Sequence, residues 1–134
     1  MKKLMLLAFL CLSFVASHAA VIINTTGCSL TLQPVCYNPP PNCLAIVPCG
    51  PVIHIPGGGG PVPLPPPCGC PLQGYTICYS PGFPGCAGIC VNISDAAGGP
   101  CFNFPIAAVL PPCPACGNRP FNIFWDPAGN LIIM

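Results

Sequence analysis

Thirteen cysteines in 134 residues constrain this chain more than any other feature, and their number becomes even only when the first stretch is set aside. Lys2 and Lys3 form a short basic opening. Residues 4–15 are apolar apart from Ser13, and Ser17-His18-Ala19 places small residues three and one before a cut after Ala19. That is the three-part plan of a secretory signal peptide. The apolar run of about 12 residues is shorter than the roughly 20 that a membrane-spanning helix needs. The expected division is a signal peptide at 1–19 and a cysteine-rich secreted β domain at 20–134, with no transmembrane segment in the mature chain. Cys11 leaves with the signal. Cys28, Cys36, Cys43, Cys49, Cys68, Cys70, Cys78, Cys86, Cys90, Cys101, Cys113 and Cys116 remain. This density marks a disulfide scaffold, and export places the thiols where pairing persists. The expected location is secreted, extracellular or periplasmic, and at the cell surface. The connectivity is not readable from spacing.

Charge excludes whole classes of partner. Both lysines lie in the expected signal, and beyond it only Arg119, Asp95 and Asp126 carry a formal charge, a net of −1. Nucleic acid binding needs several Lys or Arg against phosphates, so no nucleic-acid partner is expected. An anionic membrane surface is disfavoured for the same reason. A chain so nearly neutral lacks the repulsion that keeps copies apart. Self-association, or a protein or glycan partner, is expected instead.

The 22 prolines and 15 glycines all follow the expected cut. Such a composition alone belongs to disordered chains, but disorder goes with high charge and few apolar residues. Here the chain is apolar and uncharged, and disulfides offset part of the ordering entropy, at about 2–4 kcal/mol each. The prolines and glycines therefore read as turns of a stapled domain. No window has helical periodicity. Short β-like runs fall at 21–24, 28–33, 35–37, 44–47, 52–55, 75–79, 89–93, 101–104, 106–110, 121–125 and 131–133. In 28–33, Cys28, Leu30 and Leu32 alternate with Ser29, Thr31 and Gln33, the period of a half-buried strand. Residues 57–60 read as a flexible loop and 61–67 as an extended, polyproline-like segment. Asp126-Pro127-Ala128-Gly129-Asn130 reads as the turn of a terminal hairpin. The expected fold is all-β: a small disulfide-rich sandwich of about eight or nine short strands with Pro/Gly-rich loops.

Two likenesses stand out, one internal and one to a known family. Val35-Cys36-Tyr37-Asn38-Pro39 resembles Ile77-Cys78-Tyr79-Ser80-Pro81, each followed by a further cysteine, Cys43 or Cys86. The opening, Ile22-Ile23-Asn24 to Cys28-Ser29-Leu30-Thr31-Leu32, resembles the start of thaumatin-like proteins over about a dozen residues. The chain is much shorter than that family and lacks its acidic cleft residues, so no function is carried across.

Few residues are equipped for catalysis. Cys113-Pro114-Ala115-Cys116 has the spacing of a thiol-disulfide oxidoreductase, but no amphipathic helix follows it, and structural pairing is the plainer reading. It is also the only cysteine pair with zinc spacing; Cys68-Gly69-Cys70 and Cys86 to Cys90 do not match, and no metal or other cofactor is expected. Beyond the signal there is one histidine, His54, and three serines, Ser29, Ser80 and Ser94. His54 reads as a solvent-side strand residue, and Asp95 and Asp126 as turn residues. Arg119 is free to pair with either. Asn24-Thr25-Thr26 and Asn92-Ile93-Ser94 fit the glycosylation acceptor pattern, conditional on the source. Tyr37, Tyr75, Tyr79, Phe83, Phe121, Phe124 and Trp125 read as the aromatics near the surface or in turns, where a cluster would suit a sugar or protein contact face; some must fill the core, and Trp125 is assigned there.

The expectation is a non-catalytic secreted module, a structural or adhesive component of a cell surface or matrix. The alternatives are a secreted binding or inhibitory module recognising a protein or glycan, and a secreted oxidoreductase using Cys113 and Cys116.

Overall fold

The computed structural model describes residues 19–44 and 46–134. Residues 1–18 of the expected signal peptide lie outside the described residues. No helix among the described residues is long and apolar enough to cross a membrane. Ten strands are present: β1 (Val21–Asn24), β2 (Leu30–Tyr37), β3 (Ile46–Pro48), β4 (Ile53–Ile55), β5 (Val62–Pro63), β6 (Gln73–Tyr79), β7 (Cys90–Ser94), β8 (Ala107–Leu110), β9 (Phe121–Trp125) and β10 (Leu131–Ile133). They form two sheets, one ordered β5-β1-β10-β9-β8, the other β3-β2-β6-β7 with β4 also paired to β2. Every pairing is antiparallel except β1 with β10. The all-β, two-sheet expectation holds, with one or two strands more.

Three local differences have physical causes. The runs at 28–33 and 35–37 fuse into β2, straight through Pro34. A proline in a central strand lacks a ladder donor. Here β4 pairs with Leu30–Leu32 and β3 with Val35–Tyr37, so Pro34 falls at the seam between two neighbours. Its carbonyl still accepts from Cys49 N–H at 3.0 Å. The 61–67 segment contributes β5 rather than remaining solely an extended spacer. Residues 101–104 are a turn, not a strand, closed by Phe104 N–H donating to the Cys101 carbonyl at 3.0 Å.

Period-2 alternation builds the core. Leu30 and Leu32 of β2, Tyr75, Ile77 and Tyr79 of β6, and Ile22, Ile123, Leu131 and Ile133 of the other sheet meet in one cluster. Fully burying an Ile or Leu contributes roughly 1.5–3 kcal/mol, an upper estimate. Val35 and Tyr37 have the opposite phase on β2 and form a second, smaller cluster with Cys101 and Phe104 on the outer face. Both faces of β2 are therefore buried toward its end.

Prolines blunt two of the sheet edges, β3 and β5. Tyr37 N–H donates to Leu72 on the β6 side, and Cys49 N–H to Pro34 on the β3 side. Antiparallel alternation then turns the backbone of Pro48 in β3 away from β2. Leu64 N–H donates to Ala20, which likewise turns Pro63 of β5 away from β1. Each outward position lacks a donor, which weakens edge-to-edge pairing between copies.

Six disulfides pair all twelve cysteines of the described chain: Cys28–Cys116, Cys36–Cys70, Cys43–Cys101, Cys49–Cys68, Cys78–Cys90 and Cys86–Cys113. Cys78 and Cys90 are register partners across β6 and β7. The longest closure, Cys28–Cys116, spans 88 residues and ties the approach to β2 to the approach to β9. By loop entropy alone a closure of that length stabilises by about 4.5 kcal/mol.

Candidate binding cleft and apolar face

The strand directions sort the chain's few chemical groups between two ends of the sandwich. Cys113 and Cys116 lie at the end where β2 begins, on a single 3-10 turn, both buried. They do not bond each other: Cys113 joins Cys86 and Cys116 joins Cys28. The short spacing serves as a junction where two distant segments are tied. Three other sulfurs, of Cys36, Cys49 and Cys70, lie within 4.8 Å of one another, but they belong to the adjacent staples Cys36–Cys70 and Cys49–Cys68.

His54 is exposed on β4, opposite Thr31. Asp95 follows β7, its N–H donating to Gln73, the partner of Cys36. Thr31 and Cys36 are five residues apart on β2, about 17 Å of extended chain. His54 and Asp95 are therefore not brought together. Ser80 and Ser94 are buried, and Ser94 donates its hydroxyl to the Asp95 carbonyl. Arg119 precedes β9, while Asp126 follows it, about seven residues or 20 Å or more along the strand.

Asp126 is occupied by its own turn. Its carboxylate accepts from the N–H groups of Ala128 and Asn130 and from the Asn130 side chain, at 2.8–3.0 Å. These bonds, the Asn130 backbone first, hold its pKa below the usual carboxylate value. The hairpin turn is as the sequence predicts. Asn24 is fully buried. Its amide donates to the carbonyls of Cys28 at 2.8 Å and Pro56 at 3.3 Å, and its Oδ1 accepts from the N–H and hydroxyl of Thr26. Asn92 is half-buried and accepts from the Thr76 hydroxyl at 2.8 Å.

The other end of the sandwich carries a cleft of about 230 Å³. Trp125 forms one wall at the end of β9. Its indole N–H donates to the Ser94 carbonyl at 3.0 Å, which fixes the ring. Tyr75 meets it edge-on-face, with centroids 5.9 Å apart and planes at 55°. Gln73 lies beneath, donating to the Tyr75 hydroxyl at 3.3 Å and accepting from Cys68 N–H at 2.8 Å. Asp95 completes the polar side, with Oδ1 accepting from Ala97 N–H at 3.1 Å. Leu64 and Ala20 supply apolar wall. Burial, with a smaller push from the Asp95 charge, raises the Tyr75 pKa, opposed by the Gln73 hydrogen bond. Trp125 is half-buried: it packs on the core with one part and borders the cleft with another. Gln73 and Ala20 are cleft residues that sequence reasoning passed over. The available signal was phase: Gln73 shares the inward register of Tyr75, Ile77 and Tyr79, an unusual place for a carboxamide.

A second surface is apolar. Leu44 is 79 % exposed and Phe102 96 %, and Ile46 of β3, in register with Tyr37, is also exposed, while Val47 points to the opposite face. Leu44 and Phe102 each neighbour a cysteine of the Cys43–Cys101 staple, whose Cα atoms are 5.6 Å apart. Their own Cα atoms thus lie within about 13 Å. Comparison with protein-family models, curated proteins and solved structures returns no match.

Proposed function

We propose that this chain is a non-catalytic structural or adhesive component of a cell surface or extracellular layer. The observation that carries the reading is the apolar face around Cys43–Cys101, presented by a chain with almost no charge. Large exposed apolar side chains gathered in one place mark association surfaces. The occupant is a second copy. With a net charge of −1 beyond the expected cut, copies have little mutual repulsion. Pro48 and Pro63 weaken two of the strand edges, β3 and β5, so the exposed side-chain face is the favoured contact there. The six staples support an oxidising compartment, extracellular or periplasmic.

Sedimentation equilibrium over a concentration series tests this. The wild-type mass average should rise with concentration, and Phe102→Asp should stay monomeric. Phe102 is almost wholly exposed, so the variant should keep its stability within about 0.5 kcal/mol. A wild-type protein that is monomeric at every concentration removes the reading.

The second reading is a binding module, favoured by the aromatic and polar groups that converge on the Trp125 cleft. A defined one-to-one complex with a protein or glycan would support it. The oxidoreductase alternative has the least support, since Cys113 and Cys116 are each bonded to a different distant cysteine.

A further inference from the structure

The chain's charges are segregated. Asp95 borders the Trp125 cleft, and the Asp126 turn adjoins it through Gly129. The one cation beyond residue 19, Arg119, lies at the far end of β9, and His54 at the end of β2 remote from Asp95. No ion pair joins any of these groups among the described residues. The Asp126 carboxylate is already satisfied by its turn. Asp95 uses one oxygen for the Ala97 N–H and has no cationic partner among the described residues.

The cleft therefore combines a carboxylate without a cation, two aromatic rings held at an angle, and an aliphatic wall at Leu64. That combination selects for charge and shape together. A positive group gains from the Asp95 charge and from the half-buried Trp125 ring, and methyl or methylene groups around the charge fit the apolar wall. A neutral sugar could stack and hydrogen-bond to Asp95 but would gain nothing from its charge. An inorganic cation would have one carboxylate and no set of oxygen ligands. The volume suits a group of a few heavy atoms rather than a drug-sized ligand.

We propose that the Trp125 cleft is a binding site for an organic ammonium group, with Asp95 as counter-ion, Trp125 as its aromatic wall and the buried Tyr75 backing that wall. The inference goes beyond the association reading and does not depend on it. The ammonium has two sources of the same chemistry. One is external: a free amine or quaternary ammonium, or the lysine head of a partner. The other is the chain's own. Ala20 lines the cleft and is held there by its carbonyl, which accepts from Leu64 N–H at 3.0 Å. A cut after Ala19 would create an α-ammonium at that wall. This source, unlike the site itself, rests on the cut.

The experiment uses the exported protein, with its start fixed by intact mass. Trp125 is the sole tryptophan, so fluorescence follows the one ring that borders both the cleft and the core. The probes are tetramethylammonium chloride against sodium chloride at equal ionic strength, with glucose as the neutral control. In parallel the α-amino group is titrated by NMR. Asp95→Asn is the comparison variant, because its carboxamide oxygen still accepts from Ala97 and keeps the turn. If the chain's own terminus fills the site, the α-amino group titrates about one unit above its ordinary 7.7–8.0 and returns to that range in Asp95→Asn. If the source is external, the α-amino group titrates normally, tetramethylammonium gives a saturable change, and Asp95→Asn weakens it at least tenfold. The proposal is overturned by a normal α-amino titration with no saturable change, by a response that Asp95→Asn leaves intact, or by an equal response to glucose. If the mass shows a start other than Ala20, the own-terminus source falls with the cut, and the fluorescence titration alone decides the site.

Discussion

The ring of Tyr37 lies flat on the ring of Phe104, with centroids 4.0 Å apart and planes 5° from parallel. Phe104 comes from the 101–104 turn and closes the outer face of β2 and β6. Gly74 of β6 makes this closure fit: a Cβ there would stand 2.5 Å from Phe104 Cδ1 and 2.7 Å from the Ile93 carbonyl oxygen. Gly74→Ala should therefore destabilise the oxidised protein by about 1–3 kcal/mol through overpacking, despite alanine's better fit to a strand. Guanidinium unfolding should show a lower midpoint with the slope unchanged. An unchanged midpoint would mean that the Phe104 turn moves aside without cost, and so is not a fixed part of the fold.

Asn24 closes its own 24–28 loop and ties it to Pro56 through one buried carboxamide. Asn24→Ala leaves the carbonyls of Cys28 and Pro56 without this donor inside the fold, at about 1–3 kcal/mol for an unsatisfied group. A loss of about 2–4 kcal/mol is expected for the whole substitution, measured by the same unfolding titration. The same burial bears on the acceptor pattern Asn24-Thr25-Thr26. In a host that glycosylates exported proteins, the folded product should carry no glycan at Asn24. Peptide mass mapping that finds a glycan there on correctly folded protein would show that Asn24 can leave its pocket.

What was legible in the sequence was what depends on local period and turn chemistry. The alternation of Cys28, Leu30 and Leu32 gives the inward face of β2, and Asp126-Pro127-Ala128-Gly129-Asn130 gives the last hairpin with its strands at the expected bounds. What was not legible depends on distant partners. Pro34 looks like a strand break until β3 and β4 are seen to divide their pairing around it. The likeness between the Cys36 and Cys78 segments places two strands side by side in one sheet, but their staples differ: Cys36 bonds Cys70, and Cys78 bonds Cys90 across a register pair. The cleft was invisible because its residues come from the ends of β6, β7 and β9 and from Ala20, which only the topology collects. Asp95 and Trp125 were each read singly, one as a turn and one as core. Each reading describes part of the residue's position and misses that the two share a wall.

The three tyrosines give the fold an alkaline limit. Burial raises the pKa of Tyr37, Tyr75 and Tyr79 above the ordinary value near 10, and the Asp95 charge adds to this at Tyr37 and Tyr75. A phenol whose folded pKa lies above its unfolded value stays neutral in the native state, while the unfolded chain ionises first. The resulting stability is full below the unfolded pKa and falls as pH rises through the folded one. The chain has only these three tyrosines, so tyrosinate absorbance near 295 nm follows them without background. The native titration should be displaced to higher pH than that of free phenols, and the unfolding midpoint should drop as pH rises from the unfolded pKa through the folded one. In denaturant all three should titrate near 10, as free phenols do. Tyrosinate absorbance rising near pH 10 in the native protein, with unfolding stability unchanged, would mean that these hydroxyls meet solvent and that the core around β2 and β6 is more open than its packing indicates.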